Sequence, residues 1–457
     1  MIVEYATTEG FGDIKRIMGP SALETTDYTA RVAITGIAPG QTVFYRVTFL
    51  DLGDYRTLSA PVTGTFRVPP PVAGGRDVAF VWTGDTAGQG YGINPDWGGM
   101  KLYETMRRTA PDFMVHSGDT IYADGPIPAE VKLSDGTVWR NVITEEKSKV
   151  AETLKEYRGN YRYNLMDENI RRMNAEMPVL AQWDDHEVRN NWFHAQRIAD
   201  DKRYTEKSVG LLAARGTRAF LEYNPIRFDA DNPQRIYRRF GHGPHLDLFR
   251  IDMRSYRDAN DENRQTTRTD YLGPTQVDWL KAALKASTAT WKVIAADMPI
   301  GLVVWHDAAR KWGSEALANG DNGAPLGREL EVADLLAFIK REAIRNVVWI
   351  TADVHYCATH VYDPNKAAFQ DFRPFYEFVS GPVNAGGFGP NELDGTFGPQ
   401  VVFQKVPPAG QVSVAPSQGM AFFGHVQIDG RTGAMTVTHR DVDNTVLHKT
   451  ELVPETA

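Results

Sequence analysis

Hydrophobic and polar positions change rhythm twice along the chain. Residues 1–70 run through VEYA, YTARVAI, VFYRVTFLDL and TGTFRV, alternating or rich in β-branched and aromatic residues, with turn signals at APGQ and DLGD. That pattern predicts short strands folded into a small β-sandwich, begun abruptly as if its first strand were missing. PPPVAGG, residues 69–75, is a Pro/Gly linker. From residue 76 short apolar runs alternate with helix-period segments such as MKLYETMRRTA, GPTQVDWLKAALKAS and LEVADLLAFIKREAI, which predicts α/β layers. Strands return from about residue 372, as FYEFVSG, AFFGHVQID, AMTVTHRDVD and VLHKTELV, so a second sheet is expected. The organisation read from this is a β unit over 1–70 and an α/β (α+β) unit over 76–457.

What ends the apolar runs carries the chemistry. VAFVWTG leads to Asp85, DFMVHSG to Asp119, PVLAQW to Asp184 and Asp185, LDLFRI to Asp252, WKVIAA to Asp297 and NVVWITA to Asp353. In open α/β sheets the ligand crevice lies outside the carboxyl ends of the strands, so acids remote in sequence can converge there. Converging carboxylates repel and raise one another's pKa unless a cation neutralises them. For a single Asp after a strand, a turn or helix cap is the ordinary role, and it suits Asp252. Asp297 is flanked on both sides by apolar residues and needs a partner or a metal.

Composition narrows the partners. Among 457 residues, 50 Lys+Arg stand against 58 Asp+Glu, a formal charge of −8, which excludes a polymeric nucleic-acid backbone as partner. The single cysteine, Cys357, rules out an intrachain disulfide and a Cys-based zinc cage; it reads as a buried small hydrophobe. No apolar run approaches the length of a membrane span, and the first residues lack a signal-peptide pattern.

The motifs GDTAGQG (84–90), GDTIYADG (118–125), WDDHE (183–187) and ADVHY (352–356) occur in the order found in calcineurin-like metallophosphoesterases, the purple acid phosphatases included. The variants WDDHEVRNNW, DMRSYRD and TADVHY resemble the alkaline phosphatase D (PhoD-like) branch over essentially the whole chain. That resemblance implies a fibronectin III-like N-terminal sandwich followed by a catalytic domain of two sheets packed face to face and flanked by helices. It implies two metals sharing Asp119, about 3.5 Å apart as in two-metal hydrolases generally. The first takes Asp85, Asp119, His355 and either Tyr122 or Asp124, and a phenolate there suits Fe³⁺. The second takes Asp119, Asp185, Asp353 and Asp297, an oxygen set that favours Ca²⁺, Mg²⁺ or Mn²⁺ over Zn²⁺. The better-known pattern of the branch has a Cys close to the position of Asp85.

His186 is then expected to face the substrate. Arg254 and Arg257 are candidates for clamping phosphate oxygens, since guanidinium forks match that geometry, and Asn190, Asn191 and Asn384 for lining the pocket. The implied activity is metal-dependent hydrolysis of a small phosphoric ester, by in-line attack of a hydroxide held by the metals. Trp82, Trp97, Trp183, Trp192, Trp305 and Trp312 lie near these motifs, and an apolar rim suits diesters or phospholipid head groups, a phospholipase D-like alternative. A rival of another class is a non-catalytic Ca²⁺-binding surface or adhesion module. A serine hydrolase lacks support because no G-x-S-x-G elbow occurs. Family analogy places the protein outside the cytoplasm, and the oligomeric state is not legible.

Overall fold

A computed structural model describes residues 1–455; the last two positions of the 76–457 unit lie outside the described residues. The parallel strands Val78–Thr83, Phe113–Ser117 and Val179–Gln182 form one edge of a six-stranded sheet. The antiparallel strands Phe422–Ile428, Met435–Asp441 and Val446–Leu452 complete it. A seven-stranded sheet has a parallel centre, Leu246–Arg250, Trp291–Ala295, Val347–Thr351 and Phe375–Val379. Antiparallel neighbours flank that centre on both sides.

The two sheets share one apolar layer. Phe80, Trp82, Val115 and Val426 from the first meet Leu248, Val293, Ile350 and Phe378 from the second. Trp82 also donates through Nε1 to the carbonyl of Thr351 across the layer at 3.1 Å. Its indole lies flat over Gly424, where a Cβ would meet the ring at 2.0 Å. Helices cover the outer faces because each presents a single apolar stripe. Lys101–Arg108 and Glu168–Glu176 cover the six-stranded sheet. Pro274–Lys285 and Glu329–Arg341 cover the seven-stranded one. The four-layer order expected for the catalytic unit is therefore present, and all three helix-period segments are helices.

The N-terminal region differs from expectation. Ile2–Ala6, Lys15–Met18, Thr42–Thr48 and Val62–Arg67 make a single four-stranded antiparallel sheet, and among the described residues 1–70 contribute no second layer. YTARVAI does not pair as a strand. The sheet packs instead on the unit that follows it: the Tyr45 hydroxyl donates to the Ala175 carbonyl at 2.8 Å, and Gly64 lies so close to that carbonyl that a Cβ would stand 2.0 Å from it.

Four buried histidines link the fold to pH. Burial lowers His116, His242 and His425 to about 4 and His439 to about 3 from 6.5. The folded chain keeps them neutral while the unfolded chain protonates them, so their contribution to stability is complete above 6.5 and is lost as pH falls towards their folded values. The thermal unfolding midpoint should therefore fall steadily from about pH 7 to about pH 5, with proton uptake on unfolding; a midpoint independent of pH over that range would contradict it.

Candidate metal centre

Every acid-ended strand delivers its carboxylate at the same edge of the layered sheets. Asp85, Asp119, Asp185 and Asp353 follow parallel strands by one to three residues. The turns are tight: Asp85, Asp119, Asp353 and His355 hold φ of 69°, 53°, 63° and 61°, a left-handed conformation uncommon outside glycine. Clustering of such backbone at one place marks a site whose geometry the surrounding fold enforces.

Two triads of ligand atoms form there, each drawn together within 4.8 Å. One is Asp85, Asp119 and His355, the other Asp119, Asp185 and His186. Asp119 belongs to both, as a bridging carboxylate must. Tyr122 joins the first triad, its hydroxyl 2.9 Å from His355 Nε2, with His355 Nε2 3.5 Å from Asp85 Oδ1. His355 Nδ1 lies 2.6 Å from the Gly386 carbonyl, so its Nε2 is left facing the acids. Gly88 makes room for the phenol, since a Cβ there would stand 2.5 Å from the ring.

Burial and mutual repulsion act on these acids as the sequence implies. Burial first, then neighbouring carboxylates, push Asp85, Asp119 and Asp353 well up. Burial raises Asp185 to about 6 and Glu187 to about 7. Both Asp85 oxygens and Asp185 Oδ1 are buried without a hydrogen-bond partner. Unsatisfied carboxylate oxygens inside a protein are costly, and a cation held by both triads satisfies them. The donor set, oxygen-rich with two imidazoles and one phenol, fits hard metal ions.

Asp124 has another task. Its Oδ1 lies 2.6 Å from His186 Nδ1 and its Oδ2 accepts the Asn190 amide at 2.8 Å. Both oxygens are engaged, which corrects Asp124 as a metal ligand and leaves the phenol of Tyr122 in that place. Burial would raise Asp124, but the His186 charge outweighs it and holds the carboxyl down at about 2. Burial would lower His186, but Asp124 and Asp185 outweigh that and raise it to about 9. The Tyr122 ring stacks on His186 with centroids 4.1 Å apart, fixing the imidazole with Nε2 towards Asp185, 3.7 Å from Oδ1.

The arginine expectation is overturned. Arg254 and Arg257 are buried, with no exposed side-chain surface. Arg254 donates to Asp184 from Nε at 2.7 Å and to Glu315, while Arg257 donates to Glu315 at 2.7 Å. The Arg254 fork is taken by two carboxylates and that of Arg257 by the carboxylate and the backbone carbonyl of Glu315, so both are engaged inside the fold. Asp297 lies outside both triads, 3.5 Å from Arg254 Nε, with both oxygens buried and without a hydrogen-bond partner, its carboxyl pushed up by burial and then by Asp184. Asn384 anchors a loop, donating from Nδ2 to the carbonyls of Tyr91 and Gly92 at 3.0 and 3.2 Å. Asn191 donates its amide to Asp185 Oδ2 at 2.6 Å and its side chain to the Trp305 and His306 carbonyls. Asp252 caps the following turn, accepting from the Arg254 and Ser255 amides. Trp82, Trp183 and Trp192 are core and not rim; of the six tryptophans only Trp312 is exposed, at 48%. Cys357 is buried.

Sequence reasoning missed Glu187 and Glu315. Glu187 accepts from Thr120 N and Oγ1, each at 2.6 Å, and from Asp184 N at 2.9 Å, stitching two ligand loops together; its place in WDDHE was a usable signal. Glu315 sits in an unremarkable GSEAL, and nothing in the sequence marks it.

Comparison with known proteins agrees with this construction. A family model described as PhoD-like phosphatase matches residues 80–439. Alkaline phosphatase D of Bacillus subtilis (strain 168) is 29% identical over 402 residues, 84% of this chain and 63% of that protein, so the chain spans less than two thirds of that curated relative. A solved structure described as that of PhoD has a TM-score of 0.71 at 21% identity, over 100% of this chain and 85% of the other. Purple acid phosphatase PPD1 from yellow lupin (Lupinus luteus) seeds has a TM-score of 0.56 at 11% identity, over 99% and 69%. At such identities these two likenesses establish the layered fold. With the motif order, the paired triads and a match running from residue 80 to residue 439, the chain belongs to the PhoD-like phosphatase family.

Proposed function

We propose that the protein is a metal-dependent hydrolase of small phosphoric esters. The observation that carries this reading is the pair of buried triads sharing Asp119, with carboxylate oxygens left unpartnered. Family membership supports it. The first cation is held by Asp85, Asp119, Tyr122 and His355, a set whose phenol suits Fe³⁺. The second would be held by Asp119 and Asp185 with Asp353 from the end of Val347–Thr351 in the facing sheet, an oxygen set that suits Ca²⁺ or another hard divalent ion. Bound cations in such a pair supply a lowered pKa for water and positive charge opposite the phosphoryl oxygens.

The chain's own residues do the rest. His186 is oriented by Asp124 through Nδ1, so the proton on Nε2 is available to a phosphoryl or leaving-group oxygen. Asp119 accepts the His186 amide at 3.1 Å, which ties the orientation of that turn to the bridging carboxylate. Burial of both triads excludes bulk water and strengthens these electrostatic contacts. Diester cleavage, with the phospholipid reading a special case of it, rests on the sequence expectation alone, since Trp82, Trp183 and Trp192 are core. Comparing aryl monoester with bis-aryl diester turnover on one preparation tests it, and a strong monoester preference would overturn it.

Three outcomes follow from the assigned roles. Asp119→Asn should cost turnover by more than the about 10- to 100-fold typical of a partner outside the ligand set, with loss of bound metal by elemental analysis; retention of both would refute the metal reading. Iron-loaded protein should show visible phenolate-to-iron absorption that disappears in Tyr122→Phe; a band that survives removes Tyr122 from the ligand set. Arg254→Met strands Asp184 and Glu315 in the interior and should cost about 3–5 kcal/mol of stability by chemical denaturation, where loss of a phosphate clamp would leave stability unchanged.

A further inference from the structure

We propose that Arg189 is the residue that grips the anionic oxygen of the phosphate ester at the mouth of the site, an assignment that rests on the phosphoesterase reading above. With Arg254 and Arg257 committed to buried carboxylates, the site otherwise lacks a guanidinium for its substrate. Arg189 lies within the same turn as Asp185 and His186. Its amide donates to the Asp185 carbonyl at 2.8 Å. The two residues that follow bind Asp124 and Asp185 through their amides at 2.8 and 2.6 Å. Its backbone is therefore fixed to a candidate metal ligand on one side and to the His186 partner on the other.

The side chain is placed against Tyr204 and carries no ion pair among the described residues. Its guanidinium carbon stands 5.5 Å from the centre of the Tyr204 ring, a cation–π rest that orients the fork without consuming its charge. Nearby Arg203 also faces Tyr204 but is paired with Asp201 at 2.7 Å. Among the described residues no carboxylate lies within ion-pair distance of Arg189. The residue is half-buried, and its Nε is buried without a hydrogen-bond partner. The charge of Arg189 is felt at Asp124 and at His306, although burial is the first influence on both. The turn that carries Arg189 lies between the His186–Asp124 pair, bonded through Asn190, and the hairpin Trp305–Ser314, bonded through Asn191. A half-buried guanidinium with an unmet donor is costly until an anion reaches it, and a phosphoryl group offers oxygens matched to the fork.

The ligand class is a phosphoryl anion, and inorganic phosphate is the simplest probe. The test uses metal-loaded full chain: KM and kcat for an aryl diester, the inhibition constant of phosphate, and bound metal, for wild type, Arg189→Gln and Arg189→Lys. Removing one charged hydrogen-bond donor should raise KM and the phosphate inhibition constant by about 10- to 100-fold in Arg189→Gln, with metal content retained. Arg189→Lys should recover part of that loss, having the charge without the fork. Unchanged KM and phosphate inhibition in Arg189→Gln would overturn the assignment, as would a fall in kcat alone, which marks a structural prop on Tyr204. Should Arg189→Gln shed its metals, Arg189→Lys decides: an affinity for phosphate equal to that of wild type overturns the proposal, and a weaker one with metals retained upholds it. Failure of the underlying reading shows separately, as wild-type protein without phosphoester turnover.

Discussion

The fold depends on cancelling negative charge where it is most expensive. Two sheets packed face to face bring the carboxyl ends of their parallel strands together, and these strands end in aspartate. A buried carboxylate without a partner costs several kcal/mol, so this edge of the molecule is tolerable only with compensating charge. Two kinds of compensation are built in at different depths. Arginine is supplied by the chain itself below, and the shared-carboxylate triads above are shaped for cations.

The deeper layer explains why Arg254 and Arg257 are turned inward. Arg254 meets Asp184, Asp297 and Glu315, while Arg257 and Asn260 also converge on Glu315. Asp184 in turn bonds through its backbone to Glu187, which holds Thr120. Two neighbouring strand ends are tied by this chain of contacts, and Asp119 and Asp185 each stand one residue from a member of it. Buried polar networks of this kind fix one arrangement of a core, and breaking one member exposes the rest.

The upper layer stores strain in the ligands. Four of its members adopt left-handed backbone without being glycine, at a cost of order 1–3 kcal/mol each. Neighbouring carbonyl and amide contacts hold them there: Asp85 N to Gly118 O, Thr86 N to Asp119 O and Asn384 N to Asp85 O. Asn384 works here as an anchor, its peptide running alongside the Asp85 turn and its side chain holding the Tyr91–Gly92 carbonyls. Glycines finish the cradle where a side chain would strike the phenol or the carboxylate, at Gly88 against Tyr122 and at Gly381 against Asp85.

Much of this was legible in one dimension. Strand runs ending in Asp85, Asp119, Asp185 and Asp353, the α/β alternation and the box order were enough to place the ligand edge, because apolar periodicity and local turn chemistry are properties of short segments. What only the tertiary structure decided is which polar side chain meets which. Asp124 and Tyr122 are two residues apart, and only the arrival of His186 beneath one and His355 beside the other separates an orienting carboxylate from a ligand. Arg254, Arg257 and Asp297 carry motif-like neighbours, yet Glu315, silent in sequence, captures both arginines. The N-terminal strands were readable, but not that their sheet packs on the unit that follows it. Local pattern sets where a charge is presented along the chain; its partner is chosen by long-range packing, which no short segment encodes.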